Sequence, residues 1–190
     1  MLVHALEAAE APLLMQPYFA GGDPGPILAT MANVPELTEV AMPFLGAALG
    51  ASSIDFRTKE IVIVRTSALL GCRYCIDSHT TVALDAGLST EAVRILRDAE
   101  AMAPADAFAP AFPTVREQAL IGWIDAVAYG RGAIAEPVNA TVKANFADHE
   151  IVEITVLVGA TMLLNRYATA LQLPVGASTI ERLAQEGFSV

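Results

Sequence analysis

The chain has 190 residues, 54% of them apolar, and sets 21 acidic against 11 basic side chains for a formal net charge of −10. So apolar a composition excludes a disordered chain. The acidic balance argues against nucleic acid and anionic membrane surfaces as partners, since both require basic patches. One domain over residues 1–190 is expected for this length. The best apolar run, Ile154 to Leu164, is about half of the ~20 residues a spanning helix needs, so no span is expected. The opening MLVHALEAAEAP lacks the basic start of a secretory signal, which leads to the expectation of a cytoplasmic protein.

Residues 1–25 read as an irregular segment closed by the breaker cluster GGDPGP, Gly21 to Pro26. Pro26 suits the first turn of a short helix to about Ala32. Asn33 reads as a cap before a second helix, PELTEVAMPFLGAALG, with Pro43 placed to kink or split it. Asp55 caps a third helix, which Gly71 ends. Another runs from near Cys72 to Ala86, where Gly87 supplies a left-handed stop. An amphipathic helix follows from Ser89 to Asp98, then an alanine- and proline-rich linker from Met102 to Pro113. Thr114 and Glu117 form a capping box for a helix to about Tyr129. A short helix follows Pro137, Asp148 caps a long apolar helix to about Leu171, and a last helix runs from Ser178 to Glu186. No segment alternates as a half-buried strand does. The expected fold is all-α, with about eight helices.

Lys59 to Ala83 can be laid over His149 to Leu173 without a gap. Glu60 then meets Glu150, Cys72 meets Met162, Cys75 meets Asn165 and His79 meets Thr169. The echo predicts two related helical halves, of which only the first carries thiols.

The segment EIVIVRTSALLGCRYCIDSH, Glu60 to His79, holds both cysteines of the chain. In a cytosolic protein a lone C-x-x-C suits redox chemistry or a metal half-site better than a structural staple. Cys72 lies at a helix start, where unpaired amides favour a thiolate. Cys75 lies one turn further on and His79 one turn beyond that, all on one face. The His79 imidazole is able to take a thiol proton near neutral pH. Antiparallel packing across Gly71 would let Glu60 orient His79 or relay its proton. The same four side chains could instead ligate zinc, although a core of this size has no need of a structural metal. Spacing alone does not choose which cysteine is the nucleophile. Arg65 reads as a partner for Glu60 or Glu150 or as a subunit contact. Asn165 and Arg166 read as a buried polar contact or an interface, with Arg166 a weaker candidate for a substrate anchor.

The pattern of a glutamate, eleven residues, C-x-x-C, three residues and a histidine resembles the carboxymuconolactone decarboxylase superfamily, and more closely its alkylhydroperoxidase D (AhpD)-like branch. The flanking PELTEV, FRTKE and EIVEITVLVGATMLLNRYATAL are similar to that family as well. The resemblance implies an all-helical fold in trimers or hexamers, without metal, haem or flavin. It also implies a thiol-dependent peroxidase or disulfide reductase, regenerated by a dithiol protein. On that resemblance Cys75 attacks the peroxide, His79 activates it, Glu60 completes a proton relay and Cys72 closes the disulfide. AhpD carries a second histidine between its cysteines, and Tyr74 stands in this chain, which leaves an alkyl peroxide as substrate open to revision. The decarboxylase branch, acting on a small lactone carboxylate without thiols, and a non-catalytic redox sensor are the alternative readings.

Overall fold

The computed structural model describes residues 1–98 and 108–189. Among these residues it is all-helical, with ten helices and no strand: α1 (Gln16–Phe19), α2 (Pro26–Met31), α3 (Pro35–Leu49), α4 (Phe56–Leu69), α5 (Arg73–Asp85), α6 (Thr90–Arg97), α7 (Val115–Tyr129), α8 (Glu136–Asn145), α9 (Asp148–Leu171) and α10 (Ala177–Gln185). The segment expected to be irregular contains the four-residue α1, whose Met15 and Phe19 pack on Ala29 and Ala32 of the following stretch. The anticipated linker falls partly outside the described residues. Its described part is no free tether, since Phe108 and Phe112 are buried in the main core.

The centre of the molecule is α4. Every residue from Lys59 to Ala68 is buried, and the helix packs against α5, α6, α7 and α9. A helix covered on all sides must satisfy its charges internally. Lys59 does so with the carbonyls of Ala48 and Gly50 and with Glu153. Arg65 pairs with Asp125 at 2.7 and 2.8 Å and lies over the Phe108 ring. The expected partners of Arg65 are engaged elsewhere: Glu60 with His79, and Glu150 with Arg116.

Local signals set most boundaries. The Asp55 carboxylate accepts from the Thr58 amide at 2.8 Å and starts α4, as Ser89 and Thr114 do for α6 and α7. Two caps differ from expectation. Val34, not Asn33, precedes α3, because Asn33 spends its amide on the carbonyls of His4 and Thr30. Ala147, not Asp148, precedes α9, and the Glu150 carboxylate reaches back to the Ala147 amide. Pro43 lies inside an unbroken α3.

The two segments of the sequence echo differ in one respect. Lys59 to Ala83 folds as two helices, whereas its counterpart lies almost wholly in the single helix α9. Gly71 adopts φ +65° and breaks the first copy; Thr161 stands at the equivalent place in the second. At 24 residues α9 is long and apolar enough, by length and composition, to cross a membrane. The uninterrupted apolar run underestimated it. Here it packs against α3, α4, α5, α7 and α8.

Candidate active site

The site is built on the α4–α5 turn. Gly71 donates its N–H to the Ala68 carbonyl and Cys72 donates to that of Ser67, each at 3.0 Å. This pair of bonds closes α4 through a left-handed glycine. The chain reverses at once, and Cys72 becomes the N-cap of α5, its sulfur accepting from the Cys75 amide at 3.4 Å. One residue therefore ends the satisfaction of α4 and begins that of α5. This double duty fixes its sulfur in space.

The two sulfurs lie 2.9 Å apart as free thiols, with Cys72 wholly buried and Cys75 4% exposed. On the next turn of α5, His79 Nδ1 lies 3.0 Å from Glu60 Oε2 and 3.3 Å from Oε1. A carboxylate at Nδ1 selects the tautomer with hydrogen there and leaves Nε2 a free acceptor. Glu60 is nearly buried and His79 is about a quarter exposed. All four residues singled out in the sequence thus gather around this turn. Among the described residues no three or more His, Cys, Asp and Glu side chains are placed to hold a metal ion.

A cavity of about 70 Å³ opens on Cys75, His79, Tyr74, Ser78 and Asn165, with Ile27, Leu49, Ile63 and Leu164 among its apolar walls. It admits a molecule the size of a few waters. No lysine or arginine lines it. Arg166 is exposed and is not among its walls.

The thiols share their protons unequally. The Cys72 thiol is pulled down to about 6, chiefly by the hydrogen bond from Cys75, with further help from the Cys75 amide, Thr169 and His79 and against the penalty of burial. Cys75 is pushed up by that same hydrogen bond, by burial and by the charge on Cys72. Two acids this close titrate as a pair, and the first charge settles on the capping sulfur. Tyr74 is raised by burial and by Cys75, so its phenol stays protonated beside them.

Two residues at the site, Thr169 and Ser67, were not singled out as site residues from sequence, whereas Asn165, read as a buried polar contact, is one. Asn165 of α9 lines the cavity beside Cys75, Thr169 one turn on helps to lower Cys72, and Ser67 of α4 accepts from Asn165 Nδ2 at 3.0 Å. The echo carried the available signal: it aligned Asn165 with Cys75 and Thr169 with His79, and these α9 residues come to face the dithiol.

Comparison with known proteins agrees with this geometry. The carboxymuconolactone decarboxylase family matches residues 35–117. A structure from Agrobacterium tumefaciens, of unknown function and assigned provisionally to antioxidant defence as AhpD, is 27% identical with a TM-score of 0.68, over 78% of this chain and 96% of that one. An uncharacterised peroxidase-related protein from Ralstonia eutropha with the AhpD core has a TM-score of 0.78 at 16% identity, over 94% of this chain and 93% of the other. The debrominase Bmp8, in complex with 2,3,4-tribromopyrrole, has a TM-score of 0.77 at 18% identity, over 98% and 97%. No curated protein matches the sequence. Residues 35–117, which include the Glu60 to His79 segment, are thus similar to the carboxymuconolactone decarboxylase family. The helical arrangement is that of these AhpD-like structures.

Proposed function

We propose that this protein is a thiol-dependent peroxidase that reduces a small hydroperoxide and cycles Cys72 and Cys75 between dithiol and disulfide. The observation that carries this reading is the pair of free sulfurs 2.9 Å apart beside the His79–Glu60 pair. Peroxide enters the cavity, where Cys75 is the exposed sulfur of the two. His79 Nε2 takes the Cys75 proton, with Glu60 holding the ring. The Cys75 thiolate attacks the terminal peroxide oxygen, the O–O bond breaks, and the leaving alkoxide takes the proton from His79. Cys75 is now a sulfenic acid. Cys72, already anionic near neutral pH, attacks that sulfur, and the departing hydroxide is protonated to water. The sum is two thiols and one hydroperoxide to one disulfide, one alcohol and one water.

The division of labour follows from the charges. The more acidic thiol is the less reachable one and serves as resolving group; the more basic thiol lines the cavity and has the histidine. A dithiol protein restores the pair by exchange, in a cytoplasm that keeps thiols reduced. The small cavity favours a peroxide over a bulky disulfide as oxidant. The absence of a cationic side chain on its walls disfavours a lactone carboxylate as substrate. Self-association belongs to the same reading, since Leu37, Val40 and Phe44 of α3 and Val152, Val156 and Leu163 of α9 expose apolar surface on helices that pack together.

Steady consumption of ethyl hydroperoxide with dithiothreitol as reductant tests the proposal. Turnover that disappears in both Cys72→Ser and Cys75→Ser supports it. Turnover no faster than dithiothreitol alone overturns it.

A further inference from the structure

Asn165 is polar, 1% exposed, and sits among apolar neighbours on α9. A buried carboxamide is costly unless its hydrogen bonds are made. Its Nδ2 donates to Ser67 Oγ at 3.0 Å, yet Oδ1 is buried without a protein partner. Asn165 also lines the cavity beside Cys75, and its side chain favours the Cys75 thiolate. One turn along the same helix, Thr169 favours the Cys72 thiolate. Thus α9 presents two polar side chains at i and i+4, one for each sulfur.

We infer that Asn165 is a positioning residue that stabilises the Cys75 thiolate across the cavity that both residues line. A carboxamide is suited to this because its nitrogen carries two N–H donors. One is held by Ser67 Oγ. Once the Cys75 proton has passed to His79, the other donates to the thiolate. The inference deepens the peroxidase reading and concerns the same site, but its test needs no peroxide.

Other titratable groups near Cys75 are Cys72, Tyr74 and His79, with Glu60 behind the histidine. From α2, α3 and α4 only Ile27, Leu49 and Ile63 reach the cavity. The charges on α6 and α10 that meet α5 are paired, Arg97 with Asp77 and Arg182 with Asp85. Asn165 is the buried carboxamide on this cavity whose loss the thiolate should feel.

The test is the pH dependence of iodoacetamide alkylation of Cys75, followed by intact mass in a Cys72→Ser background. Asn165→Leu is expected to move the midpoint up by about one pH unit and to slow alkylation at pH 7 about tenfold. Ser67→Ala, which frees the carboxamide to turn, is expected to move it the same way by less. Arg166→Ala, at an exposed neighbour on α9, is expected to leave the profile unchanged. A folded Asn165→Leu variant whose profile superimposes on that of the parent overturns the inference. If that variant fails to fold, Asn165→Ser decides the matter: it keeps a hydroxyl and shortens the reach to Cys75, and an unshifted profile again overturns it. A shift in a protein that does not turn over peroxide would leave this inference standing and remove the peroxidase reading alone.

Discussion

His79 Nδ1 and Glu60 Oε2 lie 3.0 Å apart across the α4–α5 turn, so the carboxylate of one helix fixes the ring of the next. Nε2 is then free to act as the base. Replacing His79 by alanine is expected to slow peroxide-driven thiol loss about 100-fold, the ordinary contribution of a positioned base. Glu60→Gln keeps the shape but loses the charge that selects the tautomer, and about 10-fold is expected. Stopped-flow measurement of thiol loss checks both. Equal rates in wild type and Glu60→Gln would remove the glutamate from the mechanism.

The low value at Cys72 depends first on Cys75. Alkylation of Cys72 by iodoacetamide is expected to titrate near pH 6 in the wild type and to move toward the ordinary thiol value of about 8.5 in Cys75→Ala. Stability carries the same signature. Cys72 is depressed in the folded state, so its contribution is complete above the unfolded value and is lost as pH falls through about 6. Cys75 is raised, so its contribution declines once the unfolded thiol ionises. The melting temperature of the reduced protein is expected to rise from pH 6 to the ordinary thiol range and fall beyond it. A flat profile over that window would contradict the shared-proton arrangement.

The site was legible where local chemistry decides it. The spacing of Cys72, Cys75 and His79 puts them on one helical face, and Gly71 announces the reversal that brings Glu60 to His79. What escaped depends on contacts between distant segments. The partner of Arg65 is Asp125, sixty positions away, on a helix whose rotation no local pattern dictates. Asn165 was legible as a buried polar contact but not as a neighbour of Cys75, which depends on how α9 packs against α5. The caps of α3 and α9 shifted by one residue for the same kind of reason. Asn33 is captured by His4 and Thr30, and Glu150 caps from inside its own helix.

Gly71 has φ +65° and open space where a side chain would project. A methyl group there meets no neighbour, so the cost of Gly71→Ala is the left-handed backbone alone, about 1 kcal/mol. In a chain of this size that lowers the melting temperature by about 2–4 °C. A much larger loss, read by thermal melting, would mean that the turn has tighter neighbours than described.

The exposed stripe of Leu37, Val40 and Phe44, with Val40 at 74% exposure, is expected to be covered by a second copy of the chain. Light scattering after size exclusion should give an assembly larger than 20 kDa for the wild type and a smaller species for the Val40→Lys, Phe44→Glu double variant. A wild-type monomer at micromolar concentration would contradict this.

The most direct measurement of the central claim is intact mass with free-thiol titration of the reduced protein, before and after one equivalent of an organic hydroperoxide. The account predicts the loss of two thiols and of about 2 Da, abolished by Cys75→Ser and slowed by His79→Ala. In Cys72→Ser it predicts a gain of about 16 Da as sulfenic acid instead. Thiols that stay reduced in the presence of peroxide would contradict it.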